Sequence, residues 1–378
     1  MVKQTKFKSS KSLTTIIKST NVCNLACKYC YVEDGAKGSI MSTAISERLL
    51  EETSSINGTK ITPLIWHGGE PLMAGLDFFE NVAYVQYWLT KTKNKKFSNS
   101  IQTNGTLVNH EVIDFCLKHN FGLGFSLDGP LLVHGLTRVG KNGHNSFHDA
   151  YKGLMLAVES GMSSGAIVVL NKLNLEHVDA IYDFFKENEL GLKINPLIRS
   201  GNATKNMDVL GITPMEYANA MVHLFDRYFE DNDFQKHLEP FDLIMGNVST
   251  GLSYGCCTFN NNCQENFVSI GTTGDVYPCG RFDGISEFYM GNINNQPLSD
   301  ILDGPVRSRL MGRSSETVEG CIDCDYKKIC NSGCLNNGYM REGNFMDRDY
   351  YCQGYQKLFK HIKERVDKEL SKAQIGGK

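Results

Sequence analysis

The sequence lacks the features that direct a protein to a membrane or to nucleic acid. None of its apolar runs approaches the ~20 residues that a transmembrane helix needs. Residues 1–11 are basic and polar, without the apolar stretch of a secretory signal. The formal net charge of −3 provides no global attraction to nucleic acid or anionic lipid. We therefore expect a cytoplasmic protein with no membrane and no nucleic-acid partner.

Cysteine, in contrast, is abundant, with thirteen in the chain. Three lie between residues 23 and 30, and nine lie between residues 256 and 352. Because cytoplasmic thiols stay reduced, such tight groups more often hold metal than form disulfides. Cys116 stands apart among the apolar residues of a predicted helix, and we expect it to be a buried core thiol.

Short β-rich runs alternate with helical stretches between residues 14 and 197. The predicted strands are 14–18, 61–66, 98–102, 122–126, 165–170 and 192–197, and the predicted helices are 42–54, 76–90, 109–119, 146–160 and 175–188. Six strand–helix units imply parallel strands joined by right-handed crossovers. A full or partial barrel and a doubly wound sheet both satisfy this pattern, and both gather functional residues at the carboxyl ends of the strands.

The pattern changes after Ser200. An amphipathic helix is predicted at 214–231 and a lysine-rich helix at 355–373. Residues 253–352 are rich in Cys, Gly and Asn and poor in periodic segments, so something other than an apolar core must hold them together. We predict two domains, residues 1–235 and residues 236–378.

Cys23, Cys27 and Cys30 form a CxxxCxxC group directly after the first predicted strand. A zinc site usually pairs two cysteine or histidine arms, and no fourth ligand stands nearby. Three thiolates suit a [4Fe–4S] cluster in which one iron stays open for a ligand.

The segment from Cys23 to Cys30 resembles the motif of the radical S-adenosylmethionine (SAM) enzymes. The resemblance implies that the open iron chelates SAM and that the reduced cluster splits it into methionine and a 5′-deoxyadenosyl radical. It also implies that Tyr29, the aromatic residue just before the last cysteine, packs near the adenine.

Three further motifs follow the next predicted strands: GGEP at 68–71, QTNG at 102–105 and SLDGP at 126–130. Glycines permit close backbone approach, and a carboxylate accepts hydrogen bonds from an ammonium group. By resemblance, GGEP binds the amino group of SAM, while a serine and an arginine hold its ribose and carboxylate, as in sulfatase maturases. The SAM-binding residues predicted in this way are Tyr29, Gly68, Gly69, Glu70, Gln102, Asn104, Ser126 and Arg138.

The most specific pattern is the C-terminal array Cys321-x2-Cys324-x5-Cys330-x3-Cys334, with Cys257, Cys263 and Cys279 before it and Cys352 after it. It resembles the SPASM domain, an extension of radical SAM enzymes that holds two auxiliary [4Fe–4S] clusters. The resemblance implies one cluster on Cys257, Cys263, Cys279 and Cys334 and another on Cys321, Cys324, Cys330 and Cys352. Two four-cysteine zinc sites are the alternative, and Cys256 is the alternative to Cys257.

Together these resemblances imply an α/β fold, a partial (β/α)6 TIM-like radical SAM barrel followed by a Cys-rich SPASM domain. Its cofactors would be SAM and three [4Fe–4S] clusters, one of which binds SAM. The implied partners are a precursor peptide or protein substrate and a reductant such as flavodoxin or ferredoxin. Because the first strand starts near residue 14, a leader-binding domain of about eighty residues does not fit ahead of it, and we expect a leader to bind elsewhere.

The resemblance is closest to two groups of enzymes. Anaerobic sulfatase-maturating enzymes oxidise a Cys or Ser of a protein to formylglycine, and maturases of ribosomally made peptides install cross-links. Sulfatase maturases carry an aspartate base immediately after the cysteine that matches Cys279, but Gly280 occupies that position here. Because glycine cannot accept a proton, we predict a peptide maturase that forms an intrapeptide cross-link of the cyclophane type, from an aromatic ring carbon to a β-carbon.

Two alternatives remain at this point. One is formylglycine formation, and the other is a non-catalytic iron–sulfur protein that transfers electrons. The candidate catalytic residue is Asp283, which could take the proton lost on ring closure, although a solvated loop carboxylate is the simpler interpretation of this residue.

Overall fold

The computed structural model describes residues 12–32, 38–162, 165–232, 237–253, 255, 257–260 and 263–376. Its strands are β1 (Thr14–Thr20), β2 (Ile61–Gly68), β3 (Lys96–Thr103), β4 (Phe121–Ser126), β5 (Gly165–Leu170), β6 (Gly191–Pro196), β7 (Leu238–Glu239), β8 (Phe267–Ile270), β9 (Asp275–Tyr277) and β10 (Gly291–Asn292). The basic residues 1–11 and Cys256 lie outside the described residues.

The helices alternate with these strands through the first half of the chain. They are α1 (Thr43–Asn57), α2 (Leu76–Lys93), α3 (His110–His119), α4 (Leu131–His134), α5 (Phe147–Glu159), α6 (Val178–Glu187), α7 (Asn202–Lys205), α8 (Met207–Leu210), α9 (Pro214–Asp231), α10 (Phe241–Thr250), α11 (Cys263–Asn266), α12 (Leu298–Leu302), α13 (Pro305–Met311), α14 (Lys327–Cys330), α15 (Leu335–Glu342) and α16 (Cys352–Gly376). Within the described residues, none of these helices is long and apolar enough to cross a bilayer.

The chain forms two compact units, each assembled from separate stretches of sequence. The first comprises Met1–Leu127, Arg138–Ser164 and Gln264–Gly312, and the second comprises Asp128–Thr137, Gly165–Cys263 and Arg313–Lys378. The division of the chain into domains at residues 235 and 236 stays a prediction.

In the first unit, β1 to β4 are parallel neighbours in chain order. Strand β8 pairs in parallel with the other edge of β1, and β9 and β10 continue the sheet antiparallel. Strand β1 is therefore an interior strand, and its β-branched residues suit such a position. The sequence pattern did not reveal β8, because a strand of four residues is too short to show alternation.

Helix boundaries in this unit follow local capping. The Ser42 hydroxyl accepts from the backbone N–H of Ile45 before α1, and the Asn109 side chain does the same for Val112 before α3. Aromatic side chains fill the core between the sheet and its helices. They are Trp66, Phe78, Phe79, Phe115 and Phe121, in mutual edge-on or tilted contact.

In the second unit, β5, β6 and β7 are parallel. Helix α9 begins with a capping box between Thr213 and Glu216, with Pro214 in the first turn. The buried face of α9 packs on α16. Helix α16 corresponds to the C-terminal helix predicted at 355–373, but it begins earlier, at Cys352. The six predicted strands and the helices between them are confirmed, four of the strands in the first unit and two in the second.

Candidate active site

The three cysteines of the first motif lie on the loop that leaves β1. Its backbone is fixed by hydrogen bonds from Ala26 N to Val139 O (2.8 Å) and from Cys30 N to Cys27 O (3.1 Å). Cys23, Cys27 and Cys30 are all half-buried. Burial raises the pKa of Cys23, and the charges of Glu70 and Cys30 raise it further.

Hydrogen-bond donors face the sulfurs of this loop. Leu25 N lies 3.4 Å and Asn104 Nδ2 lies 3.9 Å from Cys23 Sγ. Nη1 of Arg138 lies 4.0 Å from Cys27 Sγ. Donors around thiolate ligands are one means by which proteins tune iron–sulfur clusters. Donors beside two of the three thiols are compatible with thiolate ligands, and the assignment of the three cysteines to the SAM-binding cluster stays a prediction.

Two glycines bring the end of β2 against the cysteine loop. Gly69 N donates to Thr20 O and Glu70 N donates to Val22 O, both at 2.8 Å. A Cβ on Gly69 would lie 2.2 Å from Val22 O, and a Cβ on Gly68, whose φ is +122°, would lie 2.3 Å from Thr20 O. Only glycine allows this approach, which explains the Gly-Gly pair physically.

The Glu70 carboxylate ties β2 to β3. It is fully buried and accepts hydrogen bonds from Thr103 Oγ1 (2.7 Å), Asn104 N (2.7 Å) and Leu72 N (3.1 Å). Burial raises its pKa and these donors lower it. A carboxylate has about four acceptor positions, so one remains after these three bonds. The predicted contact of Glu70 with the amino group of SAM stays a proposal.

The other predicted SAM-binding side chains meet in two groups. Gln102 Nε2 donates to Ser126 Oγ at 3.1 Å, at the adjoining ends of β3 and β4. The buried Arg138 guanidinium lies over the Tyr29 ring, 5.2 Å from its centroid. Asn104 donates to Asn24 Oδ1 at 2.9 Å. The structure thus places each of these residues beside another predicted one or beside the cysteine loop.

A second polar group in the first unit surrounds Gly280, and sequence reasoning missed most of it. Lys18 Nζ lies 2.5 Å from Asp283 Oδ2, and the two side chains are only 7% and 14% exposed. Tyr31 Oη lies 3.3 Å from His67 Nδ1. The interpretation of Asp283 as a solvated loop carboxylate is therefore wrong. Lys18 could not be found from spacing, since it pairs with a residue far along the chain.

The environment of this group shifts its pKa values in opposite directions. Burial raises the pKa of Asp283, and the Lys18 charge opposes that rise. Burial, followed by the Lys18 charge, lowers the pKa of His67 to about 4. His67 is therefore neutral at physiological pH, while its Nδ1 accepts a hydrogen bond from Gly68 N at 2.9 Å.

The second unit contains one of the predicted four-cysteine sets. Cys321, Cys324, Cys330 and Cys352 line one cavity together with Gln356 and Asp349. Gln356 Nε2 donates to Cys324 Sγ at 3.3 Å. Four thiols around one cavity, with a donor to sulfur, fit a closed [4Fe–4S] site.

The buried Asp349 organises the backbone beside these cysteines, a role that no motif indicated. Its carboxylate accepts from Cys334 N and from Tyr351 N, both at 2.7 Å. Cys334 belongs to the other predicted set, with Cys257, Cys263 and Cys279. Cys279 lies in the first unit and the other three in the second, and their joint site stays a prediction. Cys116, 1% exposed, is confirmed as a core thiol.

Models of known families match the chain in both regions for which the sequence predicted a family, the radical SAM region and the SPASM region. The radical SAM superfamily model matches residues 17–185, and the SPASM iron–sulfur cluster-binding domain matches residues 256–325. The predicted α/β fold class, the enzymatic character and the cofactors, SAM and iron–sulfur clusters, are confirmed. The alternative of a non-catalytic electron carrier is therefore wrong.

Similar proteins cover almost the whole chain. A cysteine-type anaerobic sulfatase-maturating enzyme of Clostridium perfringens (strain 13 / Type A) is 27% identical over 94% of this chain and 97% of its own length. A serine-type enzyme of Bacteroides thetaiotaomicron is 28% identical over 97% of this chain and 94% of its own length. The solved structure of native anSMEcpe with bound AdoMet superposes with a TM-score of 0.82 at 26% identity, covering 94% of this chain and 98% of that one.

These comparisons overturn the prediction of a cross-linking peptide maturase. The relatives that match nearly the full length are sulfatase-maturating enzymes. Similarity to Streptococcus suis SuiB, at 18% identity and a TM-score of 0.66, shows the fold alone. The error came from treating Gly280 as decisive. A carboxylate missing from one backbone position does not exclude the reaction, because the neighbouring Asp283 is buried in the same group of side chains.

Proposed function

We propose that this radical SAM enzyme with a SPASM domain oxidises a cysteine or serine side chain of a protein to formylglycine. The observation that carries the proposal is the similarity to sulfatase-maturating enzymes of both types over 94% and 97% of the chain. A solved structure of native anSMEcpe contains both bound AdoMet and the Cp18Cys peptide. A peptide segment of a protein is therefore the substrate class that we assign to this chain.

The first compact unit supplies the side chains that would hold SAM. Arg138 is suited to the SAM carboxylate, because its guanidinium lies close to both Cys27 Sγ and the Tyr29 ring. The linked pair Gln102 and Ser126 presents polar groups suited to ribose hydroxyls. In our proposal Tyr29 packs against the adenine, while the GGEP backbone and the remaining acceptor position of Glu70 take the amino group.

The oxidation removes two electrons and two hydrogens from the substrate side chain. When bound, SAM and the iron–sulfur clusters would remove one hydrogen atom from the β-carbon of the substrate and accept the second electron of the oxidation. The chain itself must bind the peptide and take the proton of the thiol or hydroxyl. We further propose a cytoplasmic location and a small electron-donor protein, such as flavodoxin or ferredoxin, as the reductant.

The test is an anaerobic assay of the reconstituted enzyme with SAM, a strong reductant and a sulfatase-derived peptide. One peptide carries cysteine at the target position, a second carries serine, and a control carries alanine. We expect tandem mass spectrometry to locate an aldehyde at the target residue, trapped by a hydrazine reagent, and we expect the alanine peptide to stay unchanged. Cleavage of SAM without an aldehyde in either substrate peptide would contradict the proposal.

A further inference from the structure

Neither the neighbours nor the backbone of Gly280 exclude a Cβ at this position. An ideal Cβ at this position would lie 3.6 Å from Ser269 Oγ and 3.8 Å from Tyr31 Oη, which are ordinary contact distances. Gly280 is not among the residues with positive φ, so the backbone does not require glycine here. A Cβ would therefore fit next to Cys279 without a clash, against a methyl group of Ile16 and two hydroxyl oxygens.

Asp283 lies on the same side of the chain as Gly280. Residues Gly280–Phe282 form a 3-10 turn, and Asp283 is the residue that ends it. In 3-10 geometry the side chains at positions i and i+3 eclipse one another. A carboxylate three residues after Gly280 is thus directed toward the side on which a residue 280 side chain would stand.

The two oxygens of the Asp283 carboxylate have different surroundings. Oδ2 pairs with Lys18 Nζ at 2.5 Å, whereas Oδ1 is buried and makes no hydrogen bond to any residue that the structure describes. The Ser269 hydroxyl lowers the pKa of this carboxyl as a hydrogen-bond donor, although neither Ser269 Oγ nor Asp283 Oδ1 has a partner in good hydrogen-bond geometry among the described residues. A buried carboxylate oxygen without a donor has an unmet need for a proton or a hydrogen bond.

The other titratable groups of this region are less suited to accept a proton. The Nδ1 atom of His67 already accepts from Gly68 N, so its other nitrogen carries the hydrogen in the neutral ring. Asp275 is held by Asn292 Nδ2 at 2.8 Å and by Thr273 Oγ1 at 2.6 Å. Tyr31 is a hydroxyl directed at His67. Lys18 is the cation that balances Asp283.

We propose that Asp283 is the catalytic residue that takes the proton of the substrate thiol or hydroxyl, and that Lys18 is the positioning residue that holds it. The assignment rests on the proposed function. For a cysteine substrate, the S–H bond breaks and an O–H bond forms on Asp283. The β-carbon loses a hydrogen atom and one electron to the bound cofactors, and a C=S double bond forms. Water then converts the thioaldehyde to the aldehyde and releases hydrogen sulfide. A serine substrate gives the aldehyde directly.

The first experiment compares Asp283→Asn with the wild-type enzyme and with Asp275→Asn, a matched substitution of a neighbouring acid. Because positioned general bases contribute about 10²- to 10⁴-fold, we expect Asp283→Asn to lower formylglycine formation by roughly a hundredfold or more. SAM cleavage to 5′-deoxyadenosine should persist, since the cysteine loop is untouched. Asp275→Asn should keep the wild-type product yield.

A second set of variants guards against misfolding, because Asp283→Asn leaves the Lys18 charge buried without its partner. The pair Lys18→Met with Asp283→Asn removes both charges and should also be inactive in formylglycine formation. Adding Gly280→Asp to that pair returns a carboxylate to the same group of side chains, where its Cβ meets only ordinary contacts. We expect this triple variant to regain product, and the same background with Gly280→Ala to regain none.

The role of Lys18 is tested by a pH profile. Lys18 lowers the pKa of Asp283, and the base must be ionised to act. Lys18→Met alone should therefore move the acid limb of the rate profile to higher pH, while a merely structural lysine would change the yield without moving the limb.

The outcomes separate the two proposals. A wild-type enzyme that cleaves SAM but modifies neither peptide would overturn the proposed function and this assignment with it. A wild-type enzyme that forms formylglycine, with Asp283→Asn or the double variant equally active, would overturn the assignment alone. Failure of Gly280→Asp to restore product in a variant that still cleaves SAM would likewise count against it.

Discussion

Two buried carboxylates in the first unit are held in contrasting ways. Glu70 accepts three hydrogen bonds from uncharged donors at the ends of β2 and β3. Asp283 is balanced by one cation, Lys18, and keeps one oxygen without a hydrogen bond to a described residue. A carboxylate surrounded by donors stabilises the local backbone, whereas one with an open oxygen is available for proton transfer. Burial alone therefore does not separate a structural acid from a reactive one.

We expect the largest effect from removing one thiol of the cysteine loop while leaving Glu70 and Asp283 in place. Cys27→Ala deletes one of the three thiols that fit the SAM-binding cluster. We expect complete loss of 5′-deoxyadenosine and of formylglycine, and iron content lower by about four per chain. Asp283→Asn serves as the contrast, since it should lose the peptide product only. Residual SAM cleavage by Cys27→Ala would show that this thiol is not a ligand.

Glu70→Gln tests the structural carboxylate. The amide replaces one acceptor oxygen with an NH2 group, so at least one of the three donors loses its partner. An unsatisfied buried donor costs about 1–3 kcal/mol, and the unfolding free energy should fall by that amount. SAM affinity should fall with it. Denaturant titration and SAM-binding isotherms give the two values, and an unchanged unfolding free energy would show that the carboxylate does not tie the strands.

The Lys18–Asp283 pair should behave in the opposite way when it is removed as a unit. Replacing a buried ion pair by uncharged groups of similar size is often neutral or stabilising. The double variant Lys18→Met with Asp283→Asn should therefore change the unfolding free energy by about 1 kcal/mol or less, although it abolishes the product. A loss as large as that of Glu70→Gln would remove the contrast between the two acids.

His67 should make the protein sensitive to mild acid. Its pKa is about 4 in the folded chain, below the ordinary value of 6.5. The unfolded state thus binds the proton first, and stability falls as the pH drops from about 6.5 toward 4. His67→Gln removes this titration and should flatten the unfolding free energy across that range. Equal acid sensitivity of the two proteins would assign the effect to other groups.

The smallest effect is expected from Gly280→Ala in the wild-type background. The added Cβ meets only ordinary contacts with Ile16, Ser269 and Tyr31. We expect formylglycine formation and thermal stability close to those of the wild type, measured side by side. A strong loss of activity would show that the reaction needs the absence of a side chain at position 280.

Local patterns in the sequence predicted much of this molecule. The strand–helix alternation between residues 14 and 197 predicted six strands that the structure contains. The cysteine spacings predicted the radical SAM and SPASM families, whose models match residues 17–185 and 256–325. The Gly-Gly pair before Glu70 indicated a close backbone approach. The structure shows that approach, since a Cβ on Gly69 would lie only 2.2 Å from Val22 O. Each of these patterns spans a short stretch of sequence and can be recognised without knowing which distant residues it contacts.

The sequence by itself therefore determined the fold class and the cofactors, because spacing within one loop limits which ligands can converge, and it predicted the SAM-binding residues. Only the tertiary structure revealed the buried ion pair of Asp283, since its partner Lys18 lies on β1, far away along the chain. The same holds for β8, whose partner is β1. Read alone, Gly280 indicated a missing base. The structure adds the 3-10 turn after Gly280 and the buried ion pair at the end of that turn. Side chains one 3-10 turn apart point the same way, which is why we propose Asp283 as the base.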